Sequence, residues 1–275
     1  MPALQLKASL RRSIGLAGLA GFLLFAGDAW AADGAPLFPH RALYVVQLKG
    51  AAAGIVQANG VASTTLERTC DGWIVESRMA TELTSDEGKI VRLEARLSGW
   101  ESTDGTAYRF AASSDFADTK ESFKGNAAAA GPSAPAKVDY SVPAPASLPL
   151  PPGTLFPVAH LRFLIDKART GERMATAIVF DGTEAVGARL ATAFVRPAAP
   201  LDAETVAKLG GHATEAAWNM RVAYFPADGS ALTPDFEVET VQLQSGIVAS
   251  IVADYPDFAM LLRLQSLEPL AAPRC

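Results

Sequence analysis

The chain has 275 residues, a formal net charge of −5, 49% hydrophobic residues, two cysteines and three histidines. The negative balance, with no concentrated basic patch, excludes nucleic acid as a partner. The length is enough for one large β domain or two small ones, with ample core.

Residues 1–31 read as a secretory signal peptide. Lys7, Arg11 and Arg12 form a positive start, Ile14 to Phe25 is an apolar run, and Ala29-Trp30-Ala31 fits a small-residue cleavage site. The run is shorter than the roughly 20 residues that a membrane helix needs. An uncleaved anchor is the alternative. Leu10-Arg11-Arg12-Ser13-Ile14 faintly resembles a twin-arginine signal, but no cofactor site follows, which favours ordinary unfolded export. Removing 31 residues from 275 leaves 244, expected as a single domain over 32–275 in the periplasm. That remainder has no second run long enough to cross a membrane.

Export gives meaning to Cys70 and to Cys275, the last residue. Disulfides persist in oxidising compartments, and two cysteines permit one internal bond. Intermolecular pairing or free thiols are the alternatives. Neither cysteine lies in a C-x-x-C motif.

In chain order, Leu43 to Leu48 reads as a strand, Lys49 to Ala58 as a small-residue loop, and Asn59-Gly60 as a turn. Val61 to Cys70 follows as a strand. The clearest alternation is next: Trp73, Val75, Ser77, Met79 and Thr81 share one face, and Ile74, Glu76, Arg78, Ala80 and Glu82 the other. Ile90 to Ser98 alternates in the same way. Asp104-Gly105 is a turn, with Tyr108 and Phe110 on one face beyond it, and Phe116 and Phe123 belong to a further strand. Ala127 to Pro157 is dense in Pro and Ala, and Pro removes ladder hydrogen bonds. It reads as loop or edge with one short strand at Lys137 to Val142, a long crossing loop within one domain in preference to a linker between two.

Pro157 opens the best helix, with Val158, Leu161, Leu164, Ile165 and Ala168 on one face and Gly171 past its end. Phe163 lies opposite, either as one exposed aromatic or because the helix is lodged inside a curved sheet. Strands resume at Met174 to Phe180 and Arg189 to Val195. A short helix spans Leu201 to Leu209 with Asp202 as N-cap. Strands return at Ala217 to Phe225, Asp235 to Gln244, Ile247 to Ala253 and Phe258 to Leu264. The fold class is mostly β: roughly 12–14 turn-linked antiparallel strands in a sheet that closes or curls, with one main helix on or inside it.

Several stretches together resemble the EipB-like cell-envelope integrity proteins, a periplasmic family. They are His40-Arg41-Ala42-Leu43-Tyr44, Cys70-Asp71-Gly72-Trp73, Gly171-Glu172-Arg173, Phe180-Asp181-Gly182 and the terminal Cys275, and they span residues 37 to 275. The resemblance implies a β-spiral, a broken barrel of antiparallel strands wrapped around a helix. It also implies a disulfide between Cys70 and Cys275, and a role in envelope integrity without enzymatic activity.

The residues give no catalytic site. His40, His160 and His212 are not at metal-ligand spacing, and no G-x-S-x-G elbow is present, so no catalytic residue, metal or cofactor is expected. His160 reads as a surface or hydrogen-bonded histidine. Glu76 and Glu82 flank Arg78 as a solvated face, and Asp71, Asp104, Asp181 and Asp228 precede Gly in turns. Trp73, Tyr108, Phe110, Leu161, Leu164, Trp218 and Tyr224 are core residues, or else line a cavity for an acyl chain. The expected protein is a monomer that supports the envelope, through an apolar or amphipathic, lipid-like ligand or an envelope protein partner. Alternatives are a lipid or lipoprotein carrier and an envelope hydrolase.

Protein recovered from its own cells should begin at Ala32 and leave with the periplasmic fraction. An intact Met1 terminus by mass spectrometry, in membranes, is the contrary result.

Overall fold

Period-two alternation decides most of this architecture, because each strand has one face to bury. A computed structural model describes residues 36–50, 54–116, 119–185, 187–254 and 258–275. The leader and its cleavage site lie outside the described residues.

The strands are β1 (His40–Leu48), β2 (Ile55–Arg68), β3 (Gly72–Ser85), β4 (Ile90–Ser102), β5 (Ala107–Phe116), β6 (Thr119–Ala129), β7 (Ala136–Val142) and β8 (Ala146–Leu150). Helix α1 (Pro157–Arg169) follows, then β9 (Met174–Val179), β10 (Arg189–Pro197), helix α2 (Ala203–Leu209) and a 3-10 turn, Gly210–Thr214. The last strands are β11 (Ala217–Pro226), β12 (Phe236–Leu243), β13 (Val248–Asp254) and β14 (Ala259–Pro269). All lie in one antiparallel sheet of order β8-β7-β6-β5-β4-β3-β2-β1-β14-β13-β12-β11-β10-β9. Two meanders are joined where the first strand meets the last. The sheet is not closed into a barrel: β8 and β9 are its edges.

The alternation in β1 is strict, with His40, Ala42, Tyr44 and Val46 buried. In β5, Tyr108, Phe110 and Ala112 are buried. Asp202 caps α2 by accepting a hydrogen bond from the Thr205 N–H at 2.8 Å. Helix α1 presents Val158, Leu164, Ile165 and Ala168 to the core. They join one apolar cluster with Trp73 of β3, Ala191 and Val195 of β10, and Met220 of β11. Phe163 is half-buried against that cluster, with the Lys167 ammonium 5.6 Å from its ring centre. The helix is thus covered on more than its Leu164 face.

Two local expectations are corrected. Asn59-Gly60 is not a turn but lies inside β2, which already begins at Ile55. A Cβ on Gly60 would lie 2.4 Å from the Ala80 carbonyl oxygen and from Thr81 Oγ1. Glycine is therefore needed there for close strand approach, not for turning. The Pro/Ala-rich stretch 127–157 is not one long loop: the expected short strand is present as β7, and the stretch also holds the end of β6 and all of β8. Pro149 is accommodated because β8 is an edge strand, paired only with β7. The last strand is internal, because β14 pairs with β1 on one side and β13 on the other.

Cys70, just past β2, is bonded to Cys275, with Cα atoms 5.7 Å apart and a sequence separation of 205. Beyond β14 the chain is held by the Leu270 N–H donating to the Pro39 carbonyl at 2.9 Å and by this bond. Ideal loop-closure entropy for so long a loop is about 5 kcal/mol, and about half of that is expected in practice. The Cys70→Ser/Cys275→Ser variant should lose about 2–3 kcal/mol. Because β14 is internal, amide exchange should quicken first at Leu270 and the end of β14, not at Met260 to Leu264. Equal protection of Leu270 in both forms would remove the bond's role as a terminal clasp.

Candidate functional site

An unclosed sheet concentrates unsatisfied backbone at its two edges, so the seam between β8 and β9 is where chemistry or binding is most readily placed. The chain bridges the seam at one residue. The Leu155 N–H donates to the Ile178 carbonyl at 2.8 Å, and the Phe180 N–H donates to the Leu155 carbonyl at 3.0 Å, a parallel bridge to β9.

Side chains do the rest. The Tyr108 hydroxyl on β5 donates to the Asp181 carbonyl at 3.0 Å, and the Tyr140 hydroxyl on β7 donates to the Glu184 carbonyl at 2.9 Å. Both acceptors lie in the connection from β9 to β10, so two tyrosines of one meander hold the backbone of the other. Around them the Phe110 ring meets the Tyr140 and Phe180 rings edge to face, with centroids 5.6 and 5.5 Å away. Gly182 seats on Phe110, where a Cβ would come within 2.4 Å of the ring, and its φ of 75° also favours glycine.

A cleft of about 540 Å³ lies along this seam, lined by Leu148, Pro149 and Pro151 on one side and Arg189, Pro226 and Asp235 on the other. Arg189 is paired with Glu184 and Asp235 and lies 5.5 Å from the Phe236 ring centre. The lining is mostly apolar, and its cation is already neutralised. Such a cleft suits an apolar or extended chain better than a free anion.

The seven residues expected to line a cavity divide in two. Trp73, Leu161, Leu164, Trp218 and Tyr224 belong to the cluster around α1. Tyr108 and Phe110 belong to a second cluster, with Tyr140, Phe156 and Phe180. None of the seven lines the seam cleft. Glu76 lies 3.7 Å from Arg78, whereas Glu82 pairs with Arg92 of β4 at 3.1 Å. His212 Nδ1 lies 2.5 Å from Glu215 Oε1, while Glu215 Oε2 accepts the Ser245 N–H at 3.1 Å. This pairing ties the 3-10 turn to the β12–β13 turn.

The residue that composition and spacing did not single out is Glu101, at the end of β4 and 1% exposed. Its carboxylate accepts the Val158 N–H at 2.7 Å and the Ala159 N–H at 2.8 Å. Helix α1 opens on Phe156-Pro157, with no side-chain cap and no acid in its first turn. Its first N–H groups need an acceptor from elsewhere. That lack is readable in the sequence, but which distant carboxylate answers it is not. Burial, opposed by the two N–H donors and by Arg162, pushes the Glu101 pKa up to about 7. One turn away, His160 is half-buried, and desolvation lowers its pKa to about 4.

The fold and seam define a class: open, barrel-like antiparallel β proteins with a helix connecting the two edges. The chain belongs to the EipB-like family, whose sequence model matches residues 31–271. It is 28% identical over 261 residues to the cell envelope integrity protein EipB of Brucella abortus (strain 2308), covering 89% of this chain and 88% of that one. Its fold is similar to the crystal structure of a beta-barrel-like protein of the domain of unknown function DUF1849 from Brucella abortus. There the TM-score is 0.78 at 24% identity, over 86% of this chain and 100% of the other. The family is named for envelope integrity and not for a reaction. Among the described residues no helix is long and apolar enough to cross a membrane.

Removing the Glu101 acceptor strands two buried donors, so Glu101→Ala should cost about 2–3 kcal/mol, and Glu101→Gln, which keeps one acceptor, about 1–2 kcal/mol. The pH dependence has opposed signs. Folded Glu101 keeps its proton to about 7 against an ordinary 4.5, so its contribution to stability falls as pH rises across that window. Folded His160 resists protonation down to about 4 against an ordinary 6.5, so its contribution falls as pH drops across that window. Denaturant titrations from pH 4 to 8 should show stability rising more steeply with pH in Glu101→Gln than in the native chain. Parallel profiles would mean that Glu101 is ionised throughout.

Proposed function

We propose that this chain is a periplasmic, non-enzymatic protein that supports cell-envelope integrity by binding an apolar or amphipathic ligand, or an extended segment of an envelope partner, at the seam cleft. Three things support this reading. Residues 1–31 read as a secretory leader, and the EipB relative carries the envelope-integrity name. The observation that carries the binding part is the cleft itself: proline and leucine from one sheet edge face Arg189 and Pro226 of the other meander, above a seam held by side chains and a single bridge.

Binding here does not need α1 to leave. The aromatic cluster of Tyr108, Phe110, Phe156 and Phe180 stays packed, and the cleft is the only part of the seam that this reading requires to be open. The carrier reading differs in treating the occupant as cargo, and a transfer assay with lipid-loaded donor vesicles separates the two.

The test fills the cleft without touching the core. Ala227 is exposed at the cleft wall, so Ala227→Trp should fold with an unchanged melting temperature. A deletion strain should be sensitised to detergent and to cell-wall-directed antibiotics. Native protein should restore resistance, and Ala227→Trp protein at equal abundance should not. A deletion without any envelope phenotype would sink the envelope role. Full rescue by Ala227→Trp would sink the cleft while leaving that role standing.

A further inference from the structure

The two walls of the seam cleft differ in character. On the β8 side stand Leu148, Pro149 and Pro151, which carry no charge. On the other side Pro226 and Ala227 are joined by Arg189, Asp228 and Asp235. A ligand lying between such walls needs an apolar part and a polar part, and each wall narrows the chemistry of the part it meets.

The apolar wall suits an alkyl chain better than a peptide backbone. An extended peptide added at a sheet edge takes its affinity from main-chain hydrogen bonds. Three residues lining the cleft, Pro149, Pro151 and Pro226, have no N–H to donate. The carbonyls of a peptide laid against them would lose water and find few donors in return. An alkyl chain has no polar group to satisfy and gains from the same burial.

The polar wall is acidic. Arg189 is the cation that lines the cleft, and it is already held between Glu184 and Asp235, with its side chain only 16% exposed. Lys137, the cross-strand partner of Pro149, is likewise occupied, by Asp139 at 2.9 Å. Asp228 is different. It accepts the Ser230 N–H at 2.9 Å through Oδ1, and among the described residues no cation is paired with it. Hydrogen bonds from the Ser230 side chain and backbone hold its carboxyl below the usual range. Three carboxylates, those of Glu184, Asp228 and Asp235, thus stand around one guanidinium, and the balance at this wall is negative.

We propose that the seam cleft takes a single-chain amphiphile whose head group is a protonated primary amine. The alkyl chain lies along Leu148, Pro149 and Pro151, and the ammonium donates to the Asp228 carboxylate, a charge-assisted hydrogen bond. A carboxylate or phosphate head would meet like charge at this wall. A quaternary ammonium is recognised by aromatic faces, and no aromatic residue lines the cleft. It also has no N–H to give a carboxylate. This head-group assignment rests on the cleft being a binding site, as proposed above, and adds the chemistry of its occupant.

Isothermal titration calorimetry of the full mature chain, freed of lipid and held at neutral pH, tests it. The probes are decylamine, decyltrimethylammonium, decanoate and 1-decanol, all below micelle formation. Decylamine should bind about tenfold more tightly than decanol, added salt should erode that advantage, and decanoate should bind most weakly. Asp228→Ser should bring decylamine down to the affinity of decanol. Asp228→Lys should reverse the order, so that decanoate binds more tightly than decylamine, a gain that a misfolded chain cannot give. Ala227→Trp should abolish binding of every probe. Decylamine that binds no tighter than decanol overturns the proposal, as does an amine preference that survives both Asp228 substitutions. In either case decanol binding that Ala227→Trp blocks leaves the cleft standing as a binding site. Absence of binding by every probe, or binding that Ala227→Trp leaves intact, overturns the cleft and the head-group assignment together.

Discussion

A sheet that ends in β8 and β9 instead of closing leaves two rows of backbone N–H and C=O groups without ladder partners, and buried ones must be met by something. This molecule meets them unevenly. Leu155 supplies one bridge to β9, tyrosine hydroxyls from β5 and β7 reach the backbone beyond β9, and aromatic rings fill the space between. Side-chain closure differs physically from a ladder. Its hydrogen bonds are separate, each worth about 1 kcal/mol net, and they do not share the cooperativity of a continuous strand pair. The seam is thus the part of the sheet whose opening disturbs the fewest strands.

Helix α1 connects the edges and depends on the same logic. Its apolar face is sufficient to place it against β3, β9 and β10, but its start is polar and buried. A carboxylate from β4 settles both problems at once, taking two donors into one side chain. Glu101 thereby couples the helix to the meander that does not contribute most of its packing partners. The cost is a buried acid whose ionisation is opposed by its surroundings, and that makes the helix start sensitive to pH near neutrality.

Much of the sheet was legible in the sequence because a half-buried strand writes its two faces as alternating residues. That held for β3, β4, β5 and β11, and the cap at Asp202 was legible for the same local reason. Legibility failed where a residue type had two physical uses. Asn59-Gly60 carries the chemistry of a turn, yet the glycine serves close approach to Thr81. The prolines of 127–157 argue against a central strand but do not choose between loop and edge, and β8 is an edge, where proline is tolerated. The seam was not legible at all. Tyr108 and Tyr140 are separated from their carbonyl acceptors by 73 and 44 residues, and no local pattern encodes such a pairing. Both rings look like ordinary core residues, and by burial they are.

The disulfide and the sheet order together explain how so long a meander keeps its register. Pairing β1 with β14 joins the two ends of the described chain in the middle of the sheet, so a slip there would displace both meanders at once. A one-residue slip would turn Ala42, Tyr44 and Val46 outward, and their near-complete burial makes that expensive. The bond from Cys70 to Cys275 fixes the stretch that continues past β14 to the turn that follows β2, the strand on the far side of β1. It therefore spans β1 from one neighbour to the other. The central pairing is fastened covalently, while the two outer edges are left to side chains and solvent. Covalent fastening is concentrated where register is decided, and the strands with a ladder on one side only are β8 and β9.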